Sequence, residues 1–377
     1  MSLPEAGVAG DRPSSASGGG RAIDSQGMLA AATSFPEQVA EAVAAATGLD
    51  DLPDRARVHN VVVLGMGGSG IAGDVLTAVA GPYLPYPIVT LRGYNVPAFV
   101  GEGSLVFAVS FSGNTAETVE AATEAVMSGA QVVVVARGGE LVHRAESWGV
   151  PMVRVPEGIP QPRAGLGALA IPPMIVLEEM GLFPAASHWV RLAVEQLQRR
   201  RDSLVVTGNA AAELARRIGR TIPLVYGGGG LGGVAAQRWK TQFNENAKVP
   251  AFWNVVPEAC HNEVVGWGQH GDLTRQAITL VNLRHDLEHP QVMERFRILD
   301  ELCDEVVAAS IHVHAEGEGE LAQLLDLLLV GDFTSLHLAL AEGIDPGPVP
   351  VLDEIKQRLA GGPLDGVPPS PQGADLP

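Results

Sequence analysis

Short runs of β-branched and aliphatic residues recur along this chain, and each gives way to a helical stretch. In the first half the runs are Val61–Leu64, Ile88–Leu91, Leu105–Val109, Val132–Val135 and Met152–Val155. They are continuously apolar rather than alternating, so the strands they form are buried on both faces. That restricts the architecture to a mainly parallel sheet with helices above and below. Intervening segments such as Ala116–Val126 are rich in Ala and Glu and keep a helical period. A second series follows at Ile222–Tyr226, Ala251–Val256, Ala277–Leu283 and Val306–Val313. The fold class expected is α/β, as two α-β-α sandwich domains of similar plan.

The divisions expected are a disordered arm over 1–26, domains over 27–186 and 187–345, a helix over 346–360 and a flexible tail over 361–377. The arm and tail are set apart by Gly, Ser, Pro and Asp. The last helix, about Val351–Leu359, follows Pro348 and Pro350.

The formal net charge of −18 argues against nucleic acid or an anionic membrane surface as partner, since both need a basic footprint. It also means that an anionic ligand must be held by local backbone N–H groups and helix ends. Two cysteines, Cys260 and Cys303, make neither a disulfide framework nor a thiolate zinc site. No secretory leader is visible, and no apolar run approaches the roughly 20 residues of a membrane span. A cytoplasmic protein is expected.

Val61–Leu64 runs straight into Gly65-Met66-Gly67-Gly68-Ser69-Gly70 and then a helical stretch. A Gly-rich strand-to-helix corner exposes N–H groups at the positive end of a helix dipole, which suits a phosphate. The same residues fit Gly-x-Gly-x-x-Gly, so a dinucleotide is a competing reading. A Rossmann site wants an acidic residue after its second strand. Here that strand ends Thr90-Leu91-Arg92. A tight turn with no ligand is the third option.

A second corner discriminates between these readings. Leu105–Val109 leads into Ser110-Phe111-Ser112-Gly113-Asn114-Thr115 and then another helix. Ser110, Ser112 and Thr115 can each donate to one phosphate, and a nicotinamide enzyme has no need of such a hydroxyl cluster. A helix cap alone would explain Thr115 but not its companions.

Further along, prolines stiffen Gly158-Ile159-Pro160-Gln161-Pro162-Arg163 and present Arg163, whose permanent charge suits an enediolate or phosphate oxygen. A surface arginine beside a connector is the plainer reading. Glu245, in Gln242–Lys248, and His261, in Pro257–Glu263, flank the strand Ala251–Val256. A carboxylate can move a proton between adjacent sugar carbons, and an imidazole can open a sugar ring near neutral pH. Taken singly, Glu245 also reads as a solvated helix residue and His261 as a loop residue.

Together these motifs resemble the sugar isomerase (SIS) domain, and in particular the bifunctional phosphoglucose/phosphomannose isomerases, from about Val61 to Leu359. The resemblance implies two SIS-type domains and a metal-free, cofactor-free interconversion of glucose or mannose 6-phosphate with fructose 6-phosphate. It implies Glu245 as proton shuttle, His261 as ring opener and Arg163 as stabiliser of the intermediate. Leu352–Lys356 is similar to a C-terminal helix whose lysine, here Lys356, reaches the site. Gly67, Gly68, Ser69, Ser110, Ser112 and Thr115 would hold the phosphate. The histidine comes from a neighbouring subunit in that family, which implies a homodimer with shared sites.

The chain departs from the pattern at Ala259-Cys260 before His261, and at Gly347, where a Thr is common. Loss of that hydroxyl alters how C2 epimers are accommodated. A sugar-phosphate sensor with the same fold is the alternative to an enzyme. His312 and His314 share one face of a strand, without further metal ligands at sensible spacing. Cys260 and His261, as neighbours on an extended backbone, would point apart and form no nucleophile pair.

Overall fold

The computed structural model describes residues 23–360. It begins with α1 (Met28–Thr33) and α2 (Phe35–Ala46). The first sheet region follows as β1 (Asn60–Leu64), α3 (Gly67–Ala80), β2 (Ile88–Leu91), β3 (Ser104–Ser110), α4 (Ala116–Met127), β4 (Gln131–Ala136), α5 (Gly139–Trp148) and β5 (Met152–Arg154). Three helices link the halves: α6 (Leu166–Glu179), α7 (Ala186–Leu204) and α8 (Ala210–Ile218). The second sheet region is β6 (Ile222–Gly228), α9 (Gly229–Gln242), β7 (Phe252–Val256), α10 (Gly271–Ala277), β8 (Ile278–Arg284), α11 (Pro290–Cys303) and β9 (Ala309–His314). The long α12 (Glu320–Ala341) and α13 (Pro350–Ala360) end the described chain.

Both sheets are parallel throughout, with orders β2-β1-β3-β4-β5 and β7-β6-β8-β9. Every run read as a strand is one. The last begins at Ala309 rather than Val306, because Val306 and Val307 donate to the Cys303 carbonyl and complete a turn off α11. All seven residues of β3 are buried, as its unbroken apolar pattern requires.

Each sheet starts in its middle: β2 lies on one side of β1 and β3 on the other, and β6 is flanked likewise by β7 and β8. Such a reversal opens a crevice beyond the carboxyl ends of the two central strands. The two crevices therefore lie at β1/β3 and at β6/β8.

One apolar cluster joins the inner faces of both sheets through α2, α3, α6, α7, α9 and α12. Separate clusters fill the outer faces beneath α4 and α5 and beneath α11. Helix α12 is long and apolar enough to cross a membrane, but most of it is buried inside the protein. Its apolar run is interrupted at Gly331 and Asp332. The helix continues because those polar positions have partners inside: Ser335 bonds Asn246, and Asp332 bonds Arg238 and Gln242.

Residues 1–22 of the expected arm and 361–377 of the expected tail lie outside the described residues. Residues 23–26 belong to the folded body instead. The Asp24 carboxylate accepts from the Met28 and Leu29 N–H groups at 2.8 Å each and so caps α1.

At Gly331 α12 packs directly against Trp239 of α9. A Cβ there would meet Trp239 Nε1 at 2.4 Å, and that nitrogen already donates to the Leu327 carbonyl at 2.8 Å. Gly331→Val should lower stability by about 2–3 kcal/mol through overpacking. Urea unfolding followed by tryptophan fluorescence measures the loss.

Candidate active site

The two corners singled out in the sequence meet at the first crevice. The Phe111 N–H, at the end of β3, donates to Ser69 Oγ, on α3 after β1, at 3.3 Å. In the first turn of α3, Ser69 and Gly70 donate back to the Met66 carbonyl. Among the described residues the N–H groups of Gly67 and Gly68 have no such partner, since a helix cannot satisfy its own first turn.

Thr115 stands at the N-cap of α4 yet makes no capping bond. Its Oγ1 pairs with Ser110 Oγ at 3.1 Å instead. That removes the simple cap as an explanation and leaves the first-turn N–H groups of α4 open as well. Ser110 is 1% exposed and also accepts from the Gly113 N–H at 3.1 Å, so this hydroxyl shapes the loop from within. Ser112 is exposed and accepts from the Asn114 N–H.

Gly113 has φ +73°, and a Cβ on it would collide with the Gly138 carbonyl at 1.7 Å. Asn114 Oδ1 takes the Glu140 N–H, which binds the corner to the start of α5. The Arg137 guanidinium lies over the Phe111 ring at 4.7 Å and brings a cation beside the corner. Arg92, just after β2, is taken by Asp74.

Arg163 follows the first sheet in a short 3-10 turn, Pro162–Ala164, and is 2% exposed. Gly68 packs against this turn, 3.6 Å from the Pro162 carbonyl by its would-be Cβ, so Arg163 adjoins the first corner. Nε donates to Asn246 Oδ1 at 2.7 Å. Nη2 donates to the carbonyls of Pro346 and Gly347 at 2.5 and 2.7 Å. Nη1 has only long contacts, at 3.4 Å, to Gln161 Oε1 and to Glu245 Oε2. Burial holds the guanidinium below its ordinary pKa, and the Glu245 charge opposes that. The slack contacts make Nη1 the part of the group able to meet a ligand oxygen.

Glu245 lies in the π-helical turn Phe243–Ala247 that closes α9, with its side chain 30% exposed. Its neighbour Lys248 has left-handed backbone (φ 58°) and donates to the Glu245 carbonyl and, at 3.3 Å, to that of Pro346.

His261 and Lys356 do not join this group within one chain. His261 is exposed at the end of the turn Glu258–His261 and makes no hydrogen bond or ion pair among the described residues. The loop that carries it is anchored, since Glu263 accepts from Tyr226 Oη and, at 2.7 Å, from Asn254 Nδ2. Lys356 is exposed on α13, whose Val351, Leu352, Ile355 and Leu359 are exposed too.

The backbone at Cys260-His261 is a 3-10 turn rather than extended, which corrects the reason given against a nucleophile pair. Burial pushes the Cys260 thiol up, away from thiolate, so the conclusion stands on different ground. His312 and His314 do stack on one face, 6.2 Å apart, with His312 Nε2 2.8 Å from Asp300. Among the described residues no three His, Cys, Asp or Glu side chains gather as metal ligands.

Several supporting residues gave no sequence signal. Arg238, 1% exposed, donates to the Arg163 carbonyl at 2.5 Å and pairs with Asp332 at 3.2 Å. Asp332 also accepts from Gln242 at 2.6 Å, and burial raises its pKa against these partners. A basic residue at helical spacing in α9 and an acid inside an apolar helix were the only hints.

The chain's similarities are consistent across sequence and shape. Residues 207–359 match the family model described as the bacterial phospho-glucose isomerase C-terminal SIS domain. A bifunctional phosphoglucose/phosphomannose isomerase of Caldicellulosiruptor bescii is 32% identical over 88% of this chain and 99% of its own. One of the same name from Aquifex aeolicus is 33% identical over 82% and 93%. The structure of tagatose-6-phosphate ketose/aldose isomerase from Escherichia coli superposes with a TM-score of 0.67 at 16% identity, covering 88% and 97% of the two chains. That last likeness is one of fold.

Removing Asp332 leaves the Arg238 charge buried without its anion. Asp332→Ala should cost about 3–5 kcal/mol of stability. Guanidinium unfolding of the variant against the parent gives the number.

Proposed function

The chain belongs to the bifunctional phosphoglucose/phosphomannose isomerase family, and from that premise we propose that it interconverts glucose 6-phosphate, mannose 6-phosphate or both with fructose 6-phosphate through a cis-enediol. The reading is supported above all by one juxtaposition: an open anion crevice at the two corners, adjoining a buried arginine that contacts Glu245. In this reading residues 27–186 and 187–345 are the two SIS-type domains.

The phosphate sits at the first crevice. Gly67 and Gly68 offer backbone N–H groups at the α3 terminus, while Ser69, Ser112 and Thr115 offer hydroxyls. Ser110 acts through Thr115, by fixing its rotamer. With the phosphate so fixed, the sugar extends along Pro162–Arg163 toward the end of α9. Glu245 takes the proton from C2 of the open-chain aldose and returns it to C1 of the enediol. Arg163 Nη1 faces the negative charge that develops on the enediolate oxygen, where a preorganised cation acts most strongly.

His261 opens the ring and Lys356 assists at the ring oxygen or O1. Their exposure in the single chain supports a homodimer in which the second copy completes the site. The exposed apolar stripe of α13 is in keeping with such an assembly. Two free cysteines suit a reducing, cytoplasmic compartment.

Glu245→Gln keeps the shape of the site but removes the base. Its kcat should fall at least about 100-fold while fructose 6-phosphate still binds. Isothermal titration and a coupled assay separate the two quantities; wild-type turnover would remove Glu245 from its role.

Shared sites make a second expectation. Equal amounts of inactive Glu245→Gln and His261→Ala chains, unfolded and refolded together, should regain about one quarter of wild-type activity, because half the dimers carry one intact site. Absence of any recovery would count against an exchanged histidine.

A further inference from the structure

The described chain starts with a short strap that lies on the same loop as Arg163. Ser25 N–H donates to Asp345 Oδ1 at 3.4 Å, and Asp345 Oδ1 also accepts the Gly347 N–H at 3.0 Å. Beside them the Gln26 side chain covers Gly347. A Cβ on Gly347 would stand 2.8 Å from Cβ and Cγ of Gln26 and 2.9 Å from its Cδ. Gln26 thus occupies the space into which a side chain at 347 would project. The two positions exclude each other, which gives the glycine a physical reason.

Gln26 is also wired to the guanidinium. Its Oε1 accepts from Gln161 Nε2 at 2.7 Å. Gln161 Oε1 in turn accepts from Arg163 Nη1 at 3.4 Å. The other donors of Arg163 are held by Asn246, Pro346 and Gly347, so Nη1 is the most weakly held corner of the rigid plane and the one that a tilt of the group displaces. Without Gln26, the Gln161 amide loses the partner that sets its rotation. Nη1 then keeps only its long contact to Glu245 as a fixed reference.

We propose that Gln26, from the strap before α1, is a positioning residue of the sugar site: it fills the space above Gly347 and, through Gln161, aims Nη1 of Arg163. The proposal rests on the isomerase reading. Because aim at a developing charge matters in the transition state more than in the ground state, its loss lowers kcat and kcat/KM together and leaves KM in place.

The test is steady-state kinetics of the full chain with glucose, mannose and fructose 6-phosphates for Gln26→Ala, Gln26→Glu, Gly347→Ala and the double variant Gln26→Ala/Gly347→Ala. Gln26→Ala should lower kcat about tenfold at unchanged KM. Gln26→Glu keeps an acceptor for Gln161 Nε2 and should restore kcat to near the parent value. Gly347→Ala pushes Gln26 aside and should match the Gln26→Ala loss. The double variant should then lose no more than either single one, the signature of two changes acting on one contact.

Parent-like kcat in Gln26→Ala, or losses that multiply in the double variant, would overturn the proposal while the parent's activity leaves the isomerase reading intact. A parent enzyme inactive on all three sugar phosphates would overturn that reading, and the role of Gln26 with it.

Discussion

A guanidinium taken out of water must have its hydrogen bonds returned to it, and at Arg163 this requirement ties distant parts of the chain together. Its partners come from the end of α9, from the loop before its own turn and from the loop after α12. Its own carbonyl is held by Arg238, which Asp332 of α12 neutralises. Burying such a group against imperfect partners costs several kcal/mol, so the arrangement is a constraint rather than a source of stability. What it contributes is register. The second half of the chain can deliver Glu245 beside Arg163 and the first-half corner only when these loops are all in place.

The chain treats the two crevices that the topology makes very differently. Both sheets reverse about their first strand, and both place a Gly-rich corner at the start of a helix. At β1/β3 that corner is open, lined by hydroxyls and first-turn N–H groups. At β6/β8 the chain fills it with Glu288. A Cβ on Gly228, the N-cap of α9, would meet the Glu288 carboxylate at 2.8 Å. That carboxylate accepts from the His285 N–H and pairs with Arg284.

Much of this was legible in the sequence, for reasons tied to range. The continuous apolar runs announced buried parallel strands because strand burial depends on few neighbouring residues. The two corners were legible because glycine spacing and clustered hydroxyls act over a handful of positions. Gln26 and Asp332 were not, because each acts across more than 80 residues: Gln26 on Gln161, Asp332 on Arg238. Residues 23–26 read as part of a mobile arm from composition alone, whereas Asp24 caps α1 and Gln26 packs on Gly347. The polar residues inside α12 are alike in this, since their partners lie on α9 and the turn that closes it.

The filled crevice also bears on the open one. A net charge of −18 offers an anion no general attraction, so binding must come from the geometry of a corner. At β6/β8 the chain itself seats an anion against a helix N-cap, with a backbone N–H and a neighbouring arginine as partners. Side-chain exposure of 1% at Glu288 shows how far a carboxylate can be withdrawn from water there. The β1/β3 corner has the same topology, an unengaged first turn on two helices instead of one, and hydroxyls where the other has a carboxylate. In the isomerase reading proposed above, a phosphate takes at β1/β3 the place that the Glu288 carboxylate takes at β6/β8.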